Sequence, residues 1–231
     1  MDVISTGCYA FDRMVRGGFP VGQVALIYGE ASTGKTTIAV QCAVNCARRG
    51  FKTLFIDSDN AFSPNRLSQI AKQELSAIAP YILLFTPQKF KEQVHVIESM
   101  NSLLTPSVAL VIVDTITSLY RIELGSTNET FALNRELNRQ LAYLVDIAKT
   151  KKVAVLLTSQ VHSIIGELNE VEPLAMRVLN FHSKIVINLR KTAKVGVMEA
   201  VLKKFLDLKK PHTSSQFKLT EAGICDVGVN F

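Results

Sequence analysis

Eight consecutive residues, Gly29-Glu30-Ala31-Ser32-Thr33-Gly34-Lys35-Thr36, follow the spacing G-x-x-x-x-G-K-[ST]. The glycines let the backbone curl so that its N–H groups converge on anionic oxygen. Lys35 adds a positive charge that would bridge the β- and γ-phosphates, and the Thr36 hydroxyl suits Mg2+. The ligand implied is ATP with Mg2+, and Thr37 joins the binding set as the next residue of the following helix.

Further polar residues close apolar runs. Val108 to Val113 is an unbroken aliphatic run ending in Asp114, which can hold Mg2+ directly or through water. Thr53 to Ile56 ends in Asp57-Ser58-Asp59, and either acid could orient an attacking water. Leu156-Leu157-Thr158-Ser159 leads to Gln160, which could sense the γ-phosphate and relay it to the loop that follows. Lys35, one of these two acids and Gln160 are the catalytic candidates, and Thr36 and Asp114 the metal set.

These residues need a scaffold that brings strand ends together. Gln23 to Tyr28 reads as a strand, and Lys35 to Arg49 as a helix with Gly50 in the position of a C-terminal cap. Lys52 to Asp57 is a strand, and Ser63-Pro64 opens a helix with Ser as cap and Pro in the first turn. Tyr81 to Phe85 is a strand, followed by a helix from Pro87-Gln88 through Met100. Val108 to Val113 reads as a strand buried on both faces. Leu133 to Thr150 is an amphipathic helix, and Val153 to Thr158 another buried strand. Alternating strands and helices predict a mostly parallel sheet covered on both faces. Lys184 to Leu189, Val197 to Lys203 and Ser215 to Leu219 lack intervening helices and predict a C-terminal antiparallel extension. No linker divides the chain, so one domain is expected over residues 1–231.

The order of these motifs resembles the ATPase core of the RecA/RadA recombinases. The resemblance rests on Ser5-Thr6-Gly7, Phe11-Asp12, Gly17-Gly18-Phe19-Pro20, the P-loop, Asp57-Ser58-Asp59, Asp114 to Arg121 and Thr158-Ser159-Gln160. Three further stretches resemble the archaeal RadB branch, which consists of the core alone: Phe85-Thr86-Pro87 with Phe90 to Gln93, Glu136 to Leu141, and Phe217 to Ile224. The resemblance implies a RecA-like P-loop NTPase fold without an N-terminal helix-hairpin-helix domain. It also places Arg66 over the adenine ring, where a guanidinium can stack, against the alternative of a helix-surface Arg in a salt bridge.

The chain departs from that pattern where mechanism is at stake. The family's catalytic Glu corresponds to Asp59, one methylene shorter, so slow hydrolysis is expected. The segment Arg121 to Arg135, matching the first DNA-binding loop, carries Arg121, Glu123, Glu129 and Arg135 and is neutral. The segment Val161 to Pro173, matching the second, carries Glu167, Glu170 and Glu172, with His162 alone as a cation source. Phosphates are repelled by such a loop. A basic finger offered to a neighbouring subunit would fall on Lys203 or Lys204, which lack the planar fork of Arg. The family's short oligomerisation segment precedes the core and has no room here, so long filaments are not expected; a dimer or a monomer is.

Charge points the DNA contact elsewhere. The net charge is +6, and Lys184 to Lys218 holds nine basic residues against two acidic ones, a surplus of seven. That segment is either a polyanion-binding surface or a solvated face. Cys42 and Cys46 lack further ligands nearby, and with Cys8 and Cys225 they read as core residues of a reducing compartment. No signal sequence or membrane-length apolar run is present, so a cytoplasmic protein is expected. The function expected is an ATP-binding, weakly hydrolysing regulator of homologous recombination. By resemblance its partners are DNA, a Holliday-junction resolvase, RadA and a replicative polymerase subunit. The alternatives are a DNA-stimulated recombinase and a KaiC-like signalling ATPase.

Overall fold

The computed structural model describes residues 2–125, 127–163, 171–206 and 213–228. Its strands are β1 (Val3–Ile4), β2 (Phe19–Pro20), β3 (Val24–Gly29), β4 (Lys52–Asp57), β5 (Ile82–Phe85), β6 (Val108–Asp114), β7 (Ala154–Ser163), β8 (Val171–Pro173), β9 (Ile185–Lys191), β10 (Val197–Phe205), β11 (Thr213–Thr220) and β12 (Gly223–Asp226). The α-helices are α1 (Tyr9–Met14), α2 (Lys35–Arg48), α3 (Pro64–Ala71), α4 (Leu75–Ile78), α5 (Phe90–Leu103), α6 (Ser118–Ile122), α7 (Thr127–Lys151) and α8 (Met176–His182).

The main sheet runs β12-β11-β10-β9-β3-β7-β6-β4-β5, with β8 paired to β7. From β9 to β5 every pair is parallel. From β9 to β12 every pair is antiparallel. This is the mostly parallel arrangement with the antiparallel C-terminal extension read from the alternation of elements. β3 and β6 are buried along their whole length, as strands covered on both faces must be.

Two apolar layers sandwich the sheet. One gathers α1, α2 and α3 side chains such as Phe11, Ile38, Val44 and Leu67 against Phe55 and Phe217. The other gathers Ile97, Leu119, Leu137, Leu141, Leu144 and Leu179 from α5 to α8. Cys8, Cys42, Cys46 and Cys225 are free and buried.

Some boundaries moved. β7 continues past Thr158 to Ser163 because β8 pairs antiparallel with its end, Val161 opposite Pro173. Gln160 therefore sits inside a strand. α7 begins at Thr127, ahead of the apolar periodicity that starts at Leu133. The short β1–β2 ladder, too brief to show a period, ties the N-terminus to Phe19 and Pro20. Among the described residues no helix is long and apolar enough to cross a membrane.

Candidate nucleotide site

β3 delivers the P-loop to the carboxyl edge of the parallel sheet, and α2 starts there. Gly29 lies against β9: a Cβ at this position would sit 2.3 Å from the Leu189 carbonyl oxygen. Gly34 precedes α2 with φ +96°, a backbone that side-chain-bearing residues rarely adopt. Thr33 is fully buried, and its hydroxyl donates to the Glu30 carbonyl at 2.8 Å, closing the loop on itself.

Lys35 is also buried. Its Nζ donates to the carbonyls of Gly29 (2.8 Å) and Glu30 (2.7 Å). Burial pushes its pKa down to about 8, with Asp114 and Asp59 pulling the other way. Glu30, at the mouth, pairs with Lys191 from the end of β9 at 3.6 Å.

Asp114 ends β6 with no exposed surface. Its Oδ1 accepts a short hydrogen bond from Thr158. Burial raises its pKa, opposed first by the hydroxyls of Thr158 and Thr36 and then by Lys35. Asp114 Oδ2 has no partner among the described residues, and neither do the nearby Ser58 and Thr115 hydroxyls. An orphaned carboxylate oxygen beside Thr36 and Lys35 fits a hydrated divalent cation on a triphosphate. Thr36 and Asp114 would hold that ion, and the free N–H groups opening α2 would receive the phosphates.

The two acids after β4 part company. Asp57 accepts from the N–H groups of Ala61 (3.0 Å) and Phe62 (2.9 Å) and is occupied in shaping its own loop. Asp59 instead accepts from Ser118 Oγ (2.6 Å) on one oxygen and from Gln160 Nε2 (2.6 Å) on the other. Asp59 and Gln160, read separately from the sequence, thus form one unit. Ser118 was missed as a working residue; the run of hydroxyls after Asp114 was its only signal. A cavity of about 20 Å³ adjoins this unit, lined by Thr115, Ser118, Gln160 and Arg121 among others. That volume holds about one water.

Arg66 leaves α3 toward the turn between β11 and β12. Its guanidinium donates to the carbonyls of Thr220 (2.8 Å) and Glu221 (3.0 Å) and to the Thr37 hydroxyl (3.2 Å). Among the described residues it has no carboxylate pair; it joins α2, α3 and the β11–β12 hairpin. Gln41 reinforces that junction by exchanging two hydrogen bonds with the Ile224 backbone, 3.0 and 2.6 Å.

The basic segment lies on β9, β10 and β11. Arg190, Lys191, Lys194 and Lys203 are exposed. Lys203 falls where the β9–β10 register shifts, and Lys204 donates to the Asn180 carbonyl at 2.7 Å. Lys209, Lys210 and Asp207 lie outside the described residues, as do Glu167 and Glu170 of the acidic loop.

Comparison with known proteins agrees with this geometry. A family model described as Rad51 matches residues 1–227. The DNA repair and recombination protein RadB of Methanococcoides burtonii is 34% identical over 219 residues, covering 95% of this chain and 96% of that one. RadB of Thermococcus gammatolerans is 36% identical over 228 residues, covering 97% and 99%. A solved structure described as the RadB recombinase superposes with a TM-score of 0.84 at 34% identity, covering 97% of this chain and all of that one.

Proposed function

The chain belongs to the Rad51 family, and from that premise we propose that it is an ATP-binding, slowly hydrolysing regulator of DNA repair and homologous recombination. The observation that carries this reading is the double grip on Asp59. Its two oxygens are held by Ser118 and Gln160, which lead into the segments matching the recombinases' two DNA-binding loops. The side chain that would aim water at the γ-phosphate is thereby tied to the surfaces that would meet partners.

Within the site, Lys35 would leave the Gly29 and Glu30 carbonyls for the β- and γ-phosphates and offset negative charge there. Thr36 and Asp114 would hold Mg2+, which when bound neutralises phosphate charge. Asp59 would accept a hydrogen bond from the water and set its direction, with Gln160 fixing Asp59. A carboxylate one methylene short of Glu reaches less far toward that water, so turnover is slow. Arg66 and the Thr220–Glu221 carbonyls are grouped beside the first turn of the P-loop helix, next to Thr37, where the base would lie.

DNA contact is assigned to the exposed basic residues of β9 and β10 and the turn between them. A Holliday-junction resolvase, RadA and a replicative polymerase subunit are the protein partners proposed, and capture in ATP against ADP tests each. The defining experiment measures ATP turnover with and without single-stranded DNA, alongside DNA binding at two salt concentrations. Turnover should change less than about threefold, while binding weakens with salt. Stimulation by orders of magnitude would identify a DNA-stimulated recombinase instead.

A further inference from the structure

Two stretches that nucleotide binding leaves unused, Phe90 to Gln93 and Glu136 to Leu141, meet behind the site. Gln93 on α5 is 0% exposed and Gln140 on α7 is 2% exposed, on helices whose Phe90, Ile97, Leu137 and Leu141 share one apolar cluster. Gln93 Nε2 donates to Gln140 Oε1 at 2.9 Å and to the main-chain carbonyl of Ile116 at 3.2 Å. Gln93 Oε1 and Gln140 Nε2 have no partner among the described residues. Two buried amides with two unsatisfied atoms stabilise a helix interface less than aliphatic side chains of the same size. Packing does not account for them. The bond to Ile116 is something an aliphatic side chain cannot supply.

Ile116 stands between Asp114 and Ser118. Its N–H donates to the Thr158 carbonyl at 3.1 Å, so β7 holds one side of the residue and Gln93 the other. The next hydroxyl, Thr117, bonds Ser159 at 2.8 Å, and the one after it, Ser118, bonds Asp59. The same helices grip the far end of this segment. The Phe90 N–H donates to Glu123 at 3.0 Å, and the Tyr120 hydroxyl donates to Asn134 at 2.8 Å.

We infer that Gln93 and Gln140 are positioning residues: they fix the Ile116 carbonyl, and through it the Ser118 hydroxyl that holds Asp59. The inference rests on the reading of Asp59 as the residue that orients water. Gln140 acts by orienting the Gln93 amide.

The test is the double variant Gln93→Met/Gln140→Met, which removes both amides and keeps length and apolar bulk. In the nucleotide-free protein, amide exchange in a peptide spanning 115–121 should speed up about tenfold, while one spanning 24–29 is unchanged. Single-turnover hydrolysis should slow about tenfold, with ATP affinity within about twofold. The melting temperature should be unchanged or higher. Gln140→Met alone keeps the Gln93 donor to Ile116 and should recover most of the rate. Unchanged exchange and rate would overturn the inference. So would losses of rate, ATP affinity and melting temperature in step, since those report structural damage. Asp59→Asn separates the two levels. If it leaves hydrolysis intact, the reading of Asp59 falls and takes this inference with it. If it slows hydrolysis and the double variant does not, the inference alone falls.

Discussion

Gln160 and Asp59 stand 101 residues apart in the chain and share a 2.6 Å hydrogen bond between amide nitrogen and carboxylate. The bond spans from the loop after β4 to β7 and passes over the edge of β6, where Asp114 lies. Parallel strands in the order β7-β6-β4 bring the three side chains to one rim. Two groups in direct contact should not act independently.

Asp59→Ala is expected to slow ATP hydrolysis about 100-fold and Gln160→Ala about tenfold, each with ATP binding retained. The double variant should be no slower than Asp59→Ala, because Gln160 works by holding Asp59. Single-turnover rates and the binding of a fluorescent ATP analogue measure both. Additive losses would mean that the two residues act separately.

Lys35 gives a pH signature. With its pKa at about 8, the free site loses its cation well below the usual lysine range. Triphosphate binding needs that charge, so affinity should fall about tenfold between about pH 7 and pH 9. Titration by calorimetry at fixed ionic strength measures it. Folding responds in the opposite sense. Between about pH 8 and the ordinary lysine pKa the unfolded chain carries the extra proton, so the burial cost of Lys35 is relieved and its contribution to stability rises with pH. Lys35→Met should remove that rise in denaturant titrations.

Gly29→Ala tests how closely β3 and β9 approach at the P-loop. The added methyl would meet the Leu189 carbonyl at 2.3 Å, and that oxygen is backbone and cannot swing away. Destabilisation of about 3 kcal/mol is expected from denaturant unfolding, with loss of ATP binding. Gly50→Ala gives the comparison: nothing lies within 4 Å of its added carbon, so only the strain of its φ of +79° remains, about 1 kcal/mol.

The basic edge of the sheet should behave as a phosphate-binding stripe. Arg190→Ala and Lys194→Ala are each expected to weaken single-stranded DNA binding and to reduce the log–log salt slope by about 0.7. Fluorescence anisotropy over a salt series checks this. An unchanged slope in both variants would move the DNA contact off this surface.

What was legible from the residues alone was local. The P-loop, the acid closing the buried β6 strand and the helix cap at Ser63 each depend on neighbours within a few positions. Ser63 Oγ does accept from Arg66 N at 3.3 Å, as a capping residue should. The mostly parallel sheet with an antiparallel end followed from alternating apolar runs, whose periods are set by strand and helix geometry.

Tertiary structure decided what depends on distant segments meeting. Strand position left Asp57 and Asp59 equivalent, because both follow the same strand, and only the family resemblance favoured Asp59. Only the fold shows Asp57 bonded within its own loop and Asp59 between β7 and α6. The Gln93–Gln140 pair was equally invisible, since each glutamine alone interrupts an apolar helix face. The reach of Arg66 to the β11–β12 turn joins positions more than 150 residues apart. Hydrogen bonds act over about 3 Å, so chemistry shared between distant residues is settled only when packing brings them within that range.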